Sequence, residues 1–205
     1  MDIDVVWRNA RAAVIEINDG GSFETTYTWE VYVNGEWKNC TKLVETYVDG
    51  LIPGKRNIVK LVCGDSEHVV GITTPVESAT IDVRDCGAKG DGVHDDTVNI
   101  LAAIVACPEG GRVLIPSGNY RVKSLFLKSE VSIELAEGSQ LLARHDRAEL
   151  AYIPGTLKGT LGLGREASDL FPLGRWEGES ISTYCSLLTG LRVHDVSVYG
   201  RGIID

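Results

Sequence analysis

Apolar residues in this chain recur every second position in short runs, and nearly every run ends in a turn. Ala13, Ile15 and Ile17 alternate with Val14, Glu16 and Asn18; Trp29, Val31 and Val33 alternate with Thr28, Glu30 and Tyr32. A period of two gives a strand one buried and one wetter face. Asn34-Gly35 follows the second run and tolerates the positive φ angles of a tight hairpin into Glu36-Trp37-Lys38. Further strands are expected at Leu43 to Val48, Ile58 to Val62 and His68 to Thr73, with a turn at Leu51-Ile52-Pro53-Gly54. Residues 1–75 show no helical period. Roughly seven short strands with closely spaced turns predict a small β-sandwich. The 23 glycines, with 6 prolines and no Gly-X-Y period, also suit a turn-rich β protein.

Thr73 to Thr80 is polar, contains Pro75 and reads as a linker. Ile81-Asp82-Val83 then leads into Asp85 to Thr97, DCGAKGDGVHDDT. That stretch has neither G-K-[ST] nor G-x-G-x-x-G, which excludes a phosphate loop. Asp91, Asp95 and Asp96 lack the calcium-loop spacing and the closing Glu. Asp95 and Asp96 could be a catalytic pair. They also precede a helix-period run of Ile100, Leu101, Ile104 and Val105, where carboxylates cap free backbone N–H groups. Capping is the favoured reading. The helix is expected to stop at Cys107-Pro108, before Gly110-Gly111.

Beyond the helix the strands are very short: Val113 to Ile115, Leu125 to Leu127, Val131 to Leu135, Gln140 to Leu142, Ser186 to Leu188, Val196 to Tyr199 and Gly202 to Ile204. Stacked in coils, such strands pair rung on rung and share a core. A long interruption occupies about residues 144 to 183. It contains Arg175, Trp176 and Glu177, a charged and aromatic set suited to gripping a sugar and its substituents. These three are the candidate substrate-binding residues. The alternative is a loop that packs Trp176 onto the solenoid wall.

Lys and Arg total 20 against 29 Asp and Glu, a formal net charge of −9. With no basic run, nucleic acid and anionic membranes are poor partners. No apolar stretch reaches the ~18 residues of a membrane span. The first residues, MDIDVVWRNARAAVIEIND, lack a basic start and an unbroken apolar core, so no export signal is read and a cytoplasmic location is expected. Cys40, Cys63, Cys86, Cys107 and Cys185 are odd in number and have no C-x-x-C; they are expected to be reduced and mostly buried. His68, His94, His145 and His194 have no metal-ligand spacing.

Several motifs resemble known families. Val48 to Gly54, VDGLIPG, resembles the strand E to F corner of fibronectin type III domains, although Asn57 stands where those domains usually carry a tyrosine. Such a module could bind carbohydrate or protein, or act as a spacer, which is the favoured reading. DCGAKGDGVHDDT, the short helix and GGRVLIPSGNYRVKSLFLKS resemble the opening of pectate-lyase-like right-handed parallel β-helix proteins, whose first strand and helix cap the solenoid. ELAEGSQLLARHDRAELAYIPG, GRWEG and YCSLLTGLRVHDVSVYGRGIID resemble the polygalacturonases of glycoside hydrolase family 28, most closely bacterial exo-acting members with a fibronectin-like domain before the β-helix.

The resemblance implies an all-β chain, with a fibronectin type III-like sandwich over 1–75 and the start of a right-handed parallel β-helix over 76–205. It implies inverting hydrolysis of α-1,4-galacturonosyl bonds, with carboxylates roughly 6.5–9.5 Å apart and no metal or organic cofactor. The family's N-T-D, D-D, G-H-G and R-I-K motifs follow the segment matching GRGIID, and the chain ends at Asp205. The expectation is therefore an N-terminal fragment with no catalytic residue of its own; Asp205 matches a structural position. Pectin or oligogalacturonide is the implied partner of the complete enzyme, and self-association through the open last coil is expected. Two alternatives are a non-catalytic β-helix binding protein, phage-tail or adhesin-like, and a pectate lyase.

Overall fold

The computed structural model describes residues 2–158, 170–173, 175–177 and 179–205. Contacts divide the chain into two units, Met1–Ser78 and Ala79–Asp205.

The first unit is built from β1 (Asp2–Arg8), β2 (Ala12–Asn18), β3 (Glu24–Val33), β4 (Glu36–Leu43), β5 (Glu45–Asp49), β6 (Arg56–Cys63) and β7 (Ser66–Thr73). They form two antiparallel sheets, in the orders β1-β2-β5 and β4-β3-β6-β7. The alternation sets the core. Ala13, Ile15 and Ile17 of β2 face Trp29, Val31 and Val33 of β3, joined by Val48, Val59, Leu61 and Ile72. Burying one such aliphatic side chain contributes about 1.5–3 kcal/mol. Asn34 and Gly35 both take positive φ, 51° and 87°, and close the β3–β4 hairpin as expected. Two details differ from the sequence reading. β1 is an additional strand, and Leu43 ends β4 instead of opening β5, because its N–H turns to Thr41 Oγ1.

The corner before β6 is held by Asn57, which is fully buried. Its Oδ1 accepts the Ile52 N–H at 2.8 Å and an Asn34 Nδ2 hydrogen at 2.9 Å; its Nδ2 donates to the Ile52 and Lys55 carbonyls, each at 3.1 Å. Residues after β7 stay with this unit: Thr74 is buried, and Arg11 binds Glu77 through two hydrogen bonds of 2.8 Å.

The second unit opens with β8 (Thr80–Asp82), β9 (Asp91–Asp95) and α1 (Thr97–Ala106). β10 (Gly111–Ile115), β11 (Gly118–Val122) and β12 (Leu125–Phe126) make one coil; β13 (Val131–Leu135) and β14 (Ser139–Ala143) begin the next. An excursion follows. It contains a 3-10 turn at Arg147–Glu149, β15 (Tyr152–Ile153), β16 (Thr156–Lys158), β17 (Leu170–Pro172), β18 (Arg175–Trp176), β19 (Glu179–Ser180) and β20 (Thr183–Tyr184). These pair antiparallel as β15-β20, β16-β17 and β18-β19. The coils resume with β21 (Leu188–Thr189), β22 (Ser197–Gly200) and β23 (Ile203–Ile204).

All coil strands pair in parallel, in three stacks: β8-β10-β13-β22, β9-β11-β14-β23 and β12-β21. This is the parallel β-helix the short strands require. Ile81, Val113, Ile133 and Val198 stand in register, rung above rung. Tyr120, Val122, Leu125 and Leu141 complete the same core. Gly200 (φ 117°) crosses so close to the Leu135 carbonyl that a Cβ would lie 2.0 Å from its oxygen, so only glycine fits.

The helix differs from expectation in two ways. Ile100, Ala103 and Ile104 are buried, while Val105 is exposed. Asp96 occupies the N-cap position, but its side chain makes no cap bond. Its oxygens instead accept the Lys89 and Gly90 N–H groups at 2.7 and 2.9 Å. Asp95, one residue earlier, takes the Thr97 N–H at 3.1 Å. The glycine-rich loop before the helix leaves its own amides unpaired, and a buried carboxylate is drawn to them. Only Cys107 and Cys185 are buried; Cys40 is exposed, Cys63 and Cys86 are half-buried, and all five are free thiols. No helix among the described residues is long and apolar enough to cross a membrane.

Candidate functional site

The β9-β11-β14-β23 stack turns alternate residues outward. On β11 the alternation buries Tyr120 and Val122 and turns Asn119 and Arg121 outward. Arg121 lies opposite Asp95 on one side and Leu142 on the other. Asp205 follows Ile204, the partner of Leu141, and its backbone carbonyl accepts the Ala143 N–H at 2.7 Å. Gly92, Arg121, Leu142, Ala143, His145 and Asp205 line a cavity of about 390 Å³. Two strand spacings separate Arg121 from Asp205, roughly 10 Å.

The charges around this cavity are mostly matched. Lys123 Nζ lies 3.2 Å from Asp95 Oδ2. Burial pushes Asp95 up, but the Thr97 hydroxyl and amide and Lys123 outweigh it and hold the carboxyl below its usual range. Arg144 grips Glu149 with both arms, through Nε and through Nη2 at 2.8 Å. That contact keeps Glu149 below the ordinary carboxylate range, and Lys123 and Arg121 reinforce it; it raises Arg144 in turn. Arg121 remains. Its guanidinium forms no close ion pair or hydrogen bond among the described residues, acts on Glu149 from beyond ion-pair distance, and is half-buried at the cavity wall. A half-buried guanidinium with no close ion pair is a ready bidentate donor to a carboxylate.

The three sequence-selected residues lie on the excursion. Arg175 and Trp176 form β18, opposite Ser180 and Glu179. Their side chains fall outside the described residues. Glu177 sits on the turn with φ 49° and is exposed. Arg121 and His145 were not singled out from sequence. The alternation of Asn119-Tyr120-Arg121-Val122-Lys123 was a usable signal, since it sends both basic residues to one face. Among the described residues, no group of three or more His, Cys, Asp or Glu is placed to hold a metal ion.

Parallel strands stacked in coils, with the buried face of a helix packed into the same core, are the architecture of a pectate-lyase-like β-helix. Residues 80–135 match the family model for rhamnogalacturonase A/epimerase, pectate lyase-like. The chain is 39% identical over 143 residues to an exo-poly-alpha-D-galacturonosidase of Dickeya chrysanthemi, covering 69% of this chain and 21% of that protein. It is 44% identical over 70 residues to plasmin and fibronectin-binding protein A of Streptococcus pneumoniae, covering 32% and 10%. The family 28 exopolygalacturonase of Yersinia enterocolitica has the same fold along 99% of this chain and 41% of its own, with a TM-score of 0.62 at 20% identity. The chain thus shares the fold of the family 28 exopolygalacturonase and is similar in sequence to the Dickeya galacturonosidase. It spans about a fifth of the length of the galacturonosidase it matches.

Proposed function

We propose that these 205 residues form the non-catalytic opening part of a polygalacturonase-type glycoside hydrolase, one that inverts α-1,4-galacturonosyl bonds in pectin-derived chains. The carrying observation is Arg121, a cation with no close ion pair among the described residues, at the wall of an outward cavity on the β-helix. Polygalacturonate presents one carboxylate per sugar, the group a guanidinium fork binds best. Likeness to the Dickeya galacturonosidase supports the same substrate class. Arg175 and Trp176 on β18 are proposed as a second contact, an indole face beside a cation.

The sequence holds no N-T-D, G-H-G or R-I-K motif, so the chain by itself is proposed to bind without hydrolysing. The three-plus-four strand arrangement supports a fibronectin type III-like reading of the first unit. Exposed Val198, Ile203 and Ile204 on β22 and β23 support a second copy of the chain as a further partner. Titration calorimetry with trigalacturonate and a reducing-end assay test the central reading together. Saturable binding without new reducing ends is expected. No binding, or turnover by this chain, would overturn it.

A second reading, an adhesin-like binding protein, is favoured by the pneumococcal likeness. It predicts capture of a protein ligand with no response to uronides.

A further inference from the structure

The sandwich unit contains its own cavity, of about 560 Å³. That is within the roughly 300–1,000 Å³ of small-molecule sites. It lies at one end of the two sheets, where β2 finishes, β3 begins and β6 turns into β7. Asn18 and Asp19 come from the first of these, Tyr27 and Trp29 from the second, Ser66 and His68 from the third.

The lining is unusual for a spacer. Trp29 is 3% exposed, and its indole N–H has no partner at hydrogen-bond geometry. A buried donor left unpaired is costly, so such an atom calls for a partner from outside. Burial pushes the Asp19 carboxyl up, but the backbone N–H groups of Gly21, Thr26 and Tyr27 outweigh it and hold it below the usual carboxylate range. His68 sets its ring edge-on to the indole, with centroids 5.6 Å apart. Tyr27 is 59% exposed and offers an aromatic surface at the mouth. Ser66 stands exposed at the rim.

A ligand must therefore accept from an indole and donate to a carboxylate. A hydroxyl does both. An anion meets Asp19 with like charge, and a cation leaves the indole unpaired. Aromatic rings with carboxylate and amide groups suit a sugar, whose apolar ring face stacks while its hydroxyls hydrogen-bond. We propose that this cup is a binding site for a neutral pyranose, its hydroxyls held by Trp29 Nε1 and Asp19 and its ring set on Tyr27. The site is independent of the Arg121 cavity and selects the opposite chemistry, hydroxyls over carboxylates.

The test is a titration of the whole chain followed by the indole N–H resonances, with Trp29 assigned from its absence in Trp29→Phe. The probes are methyl α-D-galactopyranoside, methyl α-D-glucopyranoside and the methyl glycoside of galacturonic acid. At least one neutral glycoside should move the Trp29 signal saturably, and more tightly than the uronate does. Tyr27→Ala, at an exposed position, should weaken that binding about fivefold with an unchanged melting temperature. A Trp29 signal unmoved by any probe overturns the proposal. So does binding that Tyr27→Ala leaves intact, or a uronate bound as tightly as the neutral sugars.

Discussion

Asp96 stands at the N-cap of α1, yet its Oδ1 accepts the backbone N–H of Lys89, seven residues back, at 2.7 Å. The carboxylate thereby ties the glycine-rich loop to the first coil, and Asp95 is left to serve the helix through Thr97. Asp96 is 1% exposed, so its loss leaves two loop amides without partners. Asp96→Ala should cost about 3 kcal/mol, since bonds to a charged acceptor carry about 1.5–3 each and are not additive. Asp95→Ala should cost only about 1 kcal/mol, the usual loss at a helix start. Urea unfolding of the two variants measures both, and a larger loss for Asp95→Ala would reverse the assignment.

Arg121 is expected to matter for binding and little for folding. It has no ion-pair partner among the described residues to lose. Arg121→Gln should raise the dissociation constant for trigalacturonate roughly tenfold or more, the worth of one charge-assisted contact. Thermal stability should shift by less than about 0.5 kcal/mol equivalent. Calorimetry on the wild type and variant reads the first, and a melting scan the second.

Acid should loosen the second unit through its depressed carboxyls. The backbone N–H groups of His94 and Val93, with the His94 ring, hold Asp91 at about 2. Asp95 and Glu149 are also depressed, by the contacts described above. A depressed carboxyl contributes stability above its unfolded value, near 4, and loses it as pH falls toward the folded value. The urea midpoint should therefore fall between about pH 4.5 and 2. Asp91→Asn should flatten part of that fall, because the amide does not titrate. A midpoint independent of pH across this window would contradict the assignment. His194 runs the other way: Asp195 raises it, so its contribution is complete at low pH and fades as pH rises past its ordinary value.

Strands β22 and β23 pair on one side only among the described residues. They expose Ile203 at 57% and Ile204 at 48%. Such an edge templates another chain, and the −9 charge that opposes contact is screened within about 8 Å at physiological salt. Light scattering should show association that grows with salt and concentration. Ile203→Lys should suppress it. A monomer under all conditions would remove the second copy from the list of partners.

Much of the architecture follows from local pattern alone. The side chains of β2 and β3 take their burial from strict alternation, and the β3–β4 hairpin from Asn34-Gly35, because a pleat and a left-handed turn are properties of adjacent residues. The short strands and the helix across the first coil were legible for the same reason, and the family motifs lie in these segments. Partnerships between distant residues were not. Asn57 stands where a tyrosine was expected, and only the fold shows that it ties the corner by bonding Ile52, Lys55 and Asn34 at once. Asp96 looked like a helix cap because sequence shows which amides follow it, not which loop folds back over it. Arg121 looked like any basic strand residue. Its isolation depends on Lys123 taking Asp95 and Arg144 taking Glu149, and on β14 lying beside β11. Alternation chooses the face a side chain points to; the register between strands twenty residues apart chooses its neighbours, and that register is set by packing of the whole core.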